Sequence, residues 1–234
     1  LKTRGKRLIV ATSKPELFTN QILEHFGLDK YFQVEGLAYR LVPVREHLPN
    51  NIGGLYGRVN PDVLWANIQK FDLSEFADPN VYLSEDYTRS VTNIKLFLLR
   101  CADAFISCHQ PDMAMKALDK CYEWFPKETI PYDNLDFYLG QLYFQTATPE
   151  GIEKGVTLYN DYIDLMSMEN QYYAKFRGKR SNYYRSDWER NKAFCYQIGN
   201  FVKQFAETNE TAKAYNEKNG ALADLSAKAL ATSN

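Results

Sequence analysis

The sequence predicts a mainly α-helical chain, with antiparallel helical hairpins stacked in a short array behind a small α/β patch of two strands at the amino terminus. Three observations carry that prediction. Between Ser84 and Pro126, apolar residues recur at alternating spacings of three and four on both sides of a break at Gln110 and Pro111, the period of helices with one buried face. Small residues recur at matching places in successive helix pairs, Ala102 and Ala114 in one, Gly140 and Gly155 in the next. Strand-type residues are concentrated near the start, in Arg7 to Thr12 and around Tyr39. Two segments follow: residues 1–58 as a small α/β part and residues 59–234 as a helical domain.

The Ser84 to Pro126 stretch specifies more than secondary structure. Counting from Lys95, Leu98, Cys101, Ala102 and Phe105 occupy the fourth, seventh, eighth and eleventh places, and Ala114, Leu118, Cys121 and Pro126 the twentieth, twenty-fourth, twenty-seventh and thirty-second. This pattern resembles the tetratricopeptide repeat, in which small residues sit where two helices cross closely and a proline stops the second helix. Such a unit holds partners and rarely does chemistry.

Composition narrows the class. The 234 residues are 45% hydrophobic, ordinary for a chain with a real core, and the net charge of -1 gives no electrostatic case for nucleic acid. Aromatic residues make up 15%, with 17 Tyr, which implies Tyr-rich helix seams. No apolar run reaches the roughly 20 residues that span a bilayer. Cys101, Cys108, Cys121 and Cys195 lie in helical patterns with no C-x-x-C pair and no His at zinc spacing, so buried free thiols are expected. His25, His47 and His109 are too scattered for a metal or a nucleophile relay, so no catalytic residue, metal or cofactor is assigned.

Arg7 to Thr12 reads as a buried strand, followed by a helix from about residue 14 to 26 with a Ser13/Glu16 capping box and Gly27 at its end. Residues 1–32 resemble the middle of a haloacid-dehalogenase-type phosphatase, in which the hydroxyl ending the strand, here Thr12, holds a phosphate oxygen. No D-x-D nucleophile precedes it and no paired acidic magnesium motif follows, so Thr12 alone cannot hydrolyse a phosphate ester. Leu37 to Val42 alternates between unlike faces and ends at Pro43, an edge strand that can pair with the first.

That second strand lies in Glu35-Gly36-Leu37-Ala38-Tyr39-Arg40 with Pro43 beyond. With GRVNPDVLWANIQKF, DPNVYLSED and KALDKCYEWFPKETIPYD, it resembles the carboxy-terminal soluble region of uncharacterised bacterial multi-pass membrane proteins related to protein O-mannosyltransferases, over roughly residues 31–168. The resemblance implies a non-catalytic domain on the periplasmic side of the inner membrane. The glycosyltransferase-like chemistry of that family resides in the membrane part.

His47 to Arg58 is a Gly-rich turn. Asn60 and Pro61 open a helix to about Phe71 with Val63, Leu64, Ile68 and Phe71 on one face. Asp78, Pro79 and Asn80 form a turn, Ser84 caps the next helix, and Tyr87, Val91, Ile94, Leu98, Cys101 and Phe105 form its buried face. A second pair places Leu139, Gly140 and Tyr143 against Ile152, Gly155, Tyr159, Tyr162 and Met166 after a Thr148–Pro149 start. A weaker third pair has Ile198, Gly199 and Val202 facing Ala212 and Tyr215, and the tail from Thr208 reads as one terminal capping helix.

Residues 172–190 interrupt the array as an exposed loop with six Lys or Arg interleaved with Tyr, Phe and Trp. The function expected is a scaffold that binds a protein partner through Asn93, Leu96 and Arg100 on the inner helices and through Lys179, Arg180, Tyr183 and Tyr184 of the basic-aromatic segment. The alternatives are a phosphatase remnant at Thr12 and a structural dimerisation domain.

Overall fold

The computed structural model describes residues 9–10, 32–34, 39–41, 58–176 and 178–233. It is mainly helical. Thr12, the helix expected over about residues 14–26 and the Gly-rich turn at His47 to Gly57 lie outside the described residues. The chain forms two compact units, residues 1–131 and 132–234.

In the first unit, short strands β1 (Ile9–Val10), β2 (Phe32–Val34), β3 (Tyr39–Leu41) and β4 (Arg58–Val59) form one sheet in the order β1-β3-β2-β4. Val10 stands opposite Tyr39 in an antiparallel pair, and β4 runs parallel to β2. Helix α1 (Pro61–Ile68) starts as its residues dictate. The Asn60 side chain accepts from the Val63 N–H at 3.2 Å, and Pro61 stands in the first turn, where its missing donor is not needed. Its buried stripe is Leu64 and Ile68 alone; Val63 and Phe71 are exposed, because the helix stops at Ile68 and presents too few turns to bury a wider face.

Asp72 accepts from both the Ser74 N–H and hydroxyl, which lowers its carboxyl pKa and starts a 3-10 turn at Ser74–Ala77. The turn sets Phe76 edge-on to Phe125 at 5.7 Å. Asn80 donates its backbone N–H to Asp78 at 2.9 Å, the expected turn.

Helices α2 (Glu85–Ser107) and α3 (Pro111–Trp124) form the first hairpin. Leu98, Cys101, Ala102, Phe105, Ala114, Leu118 and Cys121 are all buried. Each large apolar side chain so enclosed stabilises the fold by about 1.5–3 kcal/mol. Two expectations fail at the start of α2. Tyr87 is 56% exposed, because its turn extends past the packed region, and the Ser84 hydroxyl makes no capping bond. The hairpin turns on His109, a non-glycine residue at φ 57, with the Gln110 N–H reaching back to the Phe105 carbonyl at 2.9 Å.

The second unit opens on α4 (Asn134–Gln145) and α5 (Pro149–Tyr173). A reciprocal cap starts α4: the Asp133 carboxylate accepts from the Leu135 N–H, and the Asp136 carboxylate accepts from the Asp133 N–H, each at 2.7 Å. Thr148 caps α5 by accepting from the Gly151 N–H at 3.1 Å. All eight residues expected inside this pair are buried. A methyl group on Gly140 would overlap the Tyr159 ring, and one on Gly155 would come within 2.9 Å of the Phe144 ring, so each helix's glycine accepts the other's aromatic side chain. The Tyr159 hydroxyl donates to the Phe137 carbonyl at 2.8 Å.

Helix α7 (Arg185–Thr208) packs on α5, with Cys195, Ile198, Gly199 and Val202 buried. The tail is not one helix. It divides into α8 (Glu210–Asn219) and α9 (Ala221–Ser233) at Gly220, whose φ of 68 is the left-handed stop that glycine favours. The Asn216 side-chain amide oxygen Oδ1 accepts from the Leu222 and Ala223 N–H groups and so caps α9. The main partner of α7 is α9, where Leu230 packs on Gly199 and the Ser226 hydroxyl donates to the Gly199 carbonyl at 2.9 Å. Of the expected α8 contacts, Ala212 is buried and Tyr215 half-buried.

No helix among the described residues is long and apolar enough to cross a membrane.

Candidate functional site

The basic-aromatic segment is a structured reversal at the end of a hairpin. Helix α5 runs to Tyr173, Gly178 turns the chain at φ 62, a short helix α6 (Lys179–Tyr183) follows, and α7 begins at Arg185. Nothing lies within 4 Å of where a Gly178 Cβ would sit, so the glycine serves the backbone turn and no packing contact.

Five rings meet there. Tyr184 stacks on Phe176 at 4.7 Å and on Tyr173 at 5.2 Å, Tyr172 stands edge-on to Phe176 at 5.0 Å, and Tyr183 edge-on to Tyr184 at 4.9 Å. The cluster is anchored beneath by Asn191, whose buried amide donates to the Glu169 carboxylate at 2.8 Å and ties α7 to α5. Desolvation in the cluster raises the Tyr173 pKa. The rings that look outward are Tyr183, 77% exposed, and Tyr172, 51% exposed. Trp188, one turn beyond Tyr184, is exposed and carries the Lys192 ammonium 4.8 Å over its ring.

Of the sequence-predicted residues, Tyr183 and Tyr184 are brought together at this tip, and Lys179 and Arg180 stand in the helix that leads to them. The acidic residues of the segment are engaged locally: Asp187 with Arg190 at 3.1 Å and Glu189 with Arg185 at 2.9 Å. Tyr172, Tyr173, Phe176 and Trp188 complete the surface and were not singled out by sequence; the doublets Tyr172–Tyr173 and Tyr183–Tyr184, one at each side of the turn, are the signal that points to them.

In the first unit the three predicted residues separate. Asn93 is exposed on α2, whereas Leu96 and Arg100 are 9% and 4% exposed. They lie within residues 95–102, all of which are buried, so the middle of α2 is enclosed on every side and presents no open inner face there. A shallow apolar hollow beside it is lined by Ile68, Phe71, Leu73, Ile94, Phe97 and Trp124. It holds no polar group to orient a reacting molecule.

Three of the four cysteines are buried as expected; Cys108, at the end of α2, is exposed. Burial raises the Cys101 thiol to about 12 and Cys195 to about 11, values that leave both protonated and unreactive. Among the described residues, no group of three or more His, Cys, Asp or Glu could hold a metal ion.

No family model matches the chain, and neither a curated protein nor a solved structure matches it.

Proposed function

We propose that this chain is a non-catalytic interaction domain, built of TPR-like hairpins, that holds a protein partner. The observation that carries the reading is the paired exchange in α4–α5, where small residues at Gly140 and Gly155 admit Tyr159 and Phe144 at the crossing. The first hairpin has the same logic in Ala102 and Ala114, both fully enclosed. Two faces are offered to a partner: Asn93, with exposed Tyr87 and Ser90 on the same side of α2, and the α5–α7 tip with Tyr183 and Tyr184, in the segment to which Lys179 and Arg180 belong. In this reading the chain is the periplasmic soluble region of a multi-pass membrane protein related to protein O-mannosyltransferases, with its own tasks confined to binding.

The test is site-specific photocrosslinking in cells, with the crosslinker placed at Asn93, at Tyr183 and, as a control, at exposed Glu207 at the other end of α7 from Tyr183. The expected result is a discrete adduct from Asn93 or Tyr183 and none from Glu207. Adducts from all three alike, or from none, overturn the reading. Turnover of p-nitrophenyl phosphate with magnesium by the purified chain would instead favour a phosphatase centred on Thr12.

A further inference from the structure

The α5–α7 tip, one of the two faces offered above to a partner, also has the makings of a surface contact of another kind. Its outward rings belong to side chains with an apolar body and a polar end, Tyr172, Tyr183 and Trp188, and Met168 extends the stripe one turn down α5 from Tyr172. Between Tyr172 and Arg190 the sequence holds six Lys or Arg against two acidic residues, and both acids are already matched, Asp187 by Arg190 and Glu189 by Arg185. The segment therefore carries an excess of four positive charges on a chain whose net charge is -1. The segment forms the end of a hairpin, between α5 and α7, where the five rings pack against one another. Exposed amphipathic rings in a segment with a positive excess suit an extended anionic plane.

We propose that the α5–α7 tip is a docking point for the anionic face of a lipid bilayer, with Tyr172, Tyr183 and Trp188 seated at headgroup depth and the net positive charge of residues 172–190 drawing the segment to acidic headgroups. The attraction is a surface one. Each cation near such a face contributes about a fivefold gain in affinity, screened by salt, while the rings add a salt-insensitive part.

The test is co-sedimentation of the full chain with phosphatidylcholine vesicles, with and without roughly 30% phosphatidylserine, at about 0.1 M and about 0.5 M salt. The expected result is at least about tenfold tighter binding to the anionic vesicles at low salt, most of it lost at high salt. Replacing both Lys179→Gln and Arg180→Gln should weaken that binding about thirtyfold, and Tyr183→Ser, at a largely exposed ring, should weaken it at both salts. Equal binding to neutral and anionic vesicles, no binding to either, or an unchanged affinity in the Lys179→Gln/Arg180→Gln variant overturns the proposal. So does complete displacement from the vesicles by an oligo-glutamate peptide at equal charge concentration, which would assign the tip to an acidic protein segment. The salt comparison needs no substitution and so does not depend on how any variant folds.

Discussion

Single side chains already separate what is reactive from what is structural. Cys108 is exposed at the end of α2, while Cys101, Cys121 and Cys195 are enclosed by helix seams. Titration of the native chain with an aromatic disulfide should therefore modify one thiol promptly and the other three only on unfolding, read by absorbance with and without guanidinium. Ala147 turns the chain out of α4 at φ 55, a left-handed conformation that costs an L-residue about 1–2 kcal/mol. Ala147→Gly should raise stability by about 1 kcal/mol in urea unfolding, an effect opposite to that of glycine within a helix. These turns also show where sequence reading is weakest. His109 and Ala147 hold positions where glycine is the usual signal, so the ends of α2 and α4 had to be placed from Pro111 and Pro149, the first residues of the next helices.

At the scale of helices, the packed seams were legible because a buried stripe needs the 3.6 period over several turns, and Leu98 to Phe105 and Gly140 to Met166 supply it. The open faces were not. The spacing puts Leu96 and Arg100 off the main stripe of α2, yet they are buried, because residues 95–102 are enclosed all round and periodicity registers only the strongest face. In the tail, Asn219–Gly220 is a proper stop signal, but Ala and Lys on both sides favour helix so uniformly that two helices read as one. The α4–α5 crossing gives the sharpest substitution test. Gly140→Ala brings a methyl group into the Tyr159 ring and should cost about 1–3 kcal/mol despite the better helix propensity of Ala, measured by thermal unfolding. Combining it with Tyr159→Leu should recover part of the loss, since the ring is what the methyl group meets.

Across the whole molecule, stability should turn on burial of neutral groups at alkaline pH. Cys101 and Cys195 have folded pKa values of about 12 and about 11 against an ordinary value near 9, and desolvation also raises Tyr159 and Tyr162 above theirs near 10. A group that holds its proton more tightly when folded leaves stability intact below the unfolded pKa and lowers it as pH climbs from there toward the folded value. Chemical denaturation should thus show a plateau up to about pH 9 and a decline above it, with roughly 3–4 kcal/mol from Cys101 alone by pH 12. Cys101→Ser should remove the thiol's share of that slope. Because residues 132–234 have their own enclosed core, including Ile152, Tyr159, Ile163, Ile198 and Leu222, that unit expressed alone should keep a helical circular-dichroism spectrum and a cooperative melt. A featureless melt would mean that the division at Pro131 is not a folding boundary.

The glycine–aromatic exchange between α4 and α5 also fixes their alignment along the axis. A slide by one helical turn, about 5.4 Å, would carry the Tyr159 ring away from the Gly140 recess and onto Asp136 or Phe144, each with a side chain of its own. Many helix pairs have two alignments of similar energy and can ratchet between them; this one has a keyed alignment, like a pin in a slot. A displacement applied at its far end is therefore passed on whole, which makes α4–α5 a rigid strut and not a sliding joint.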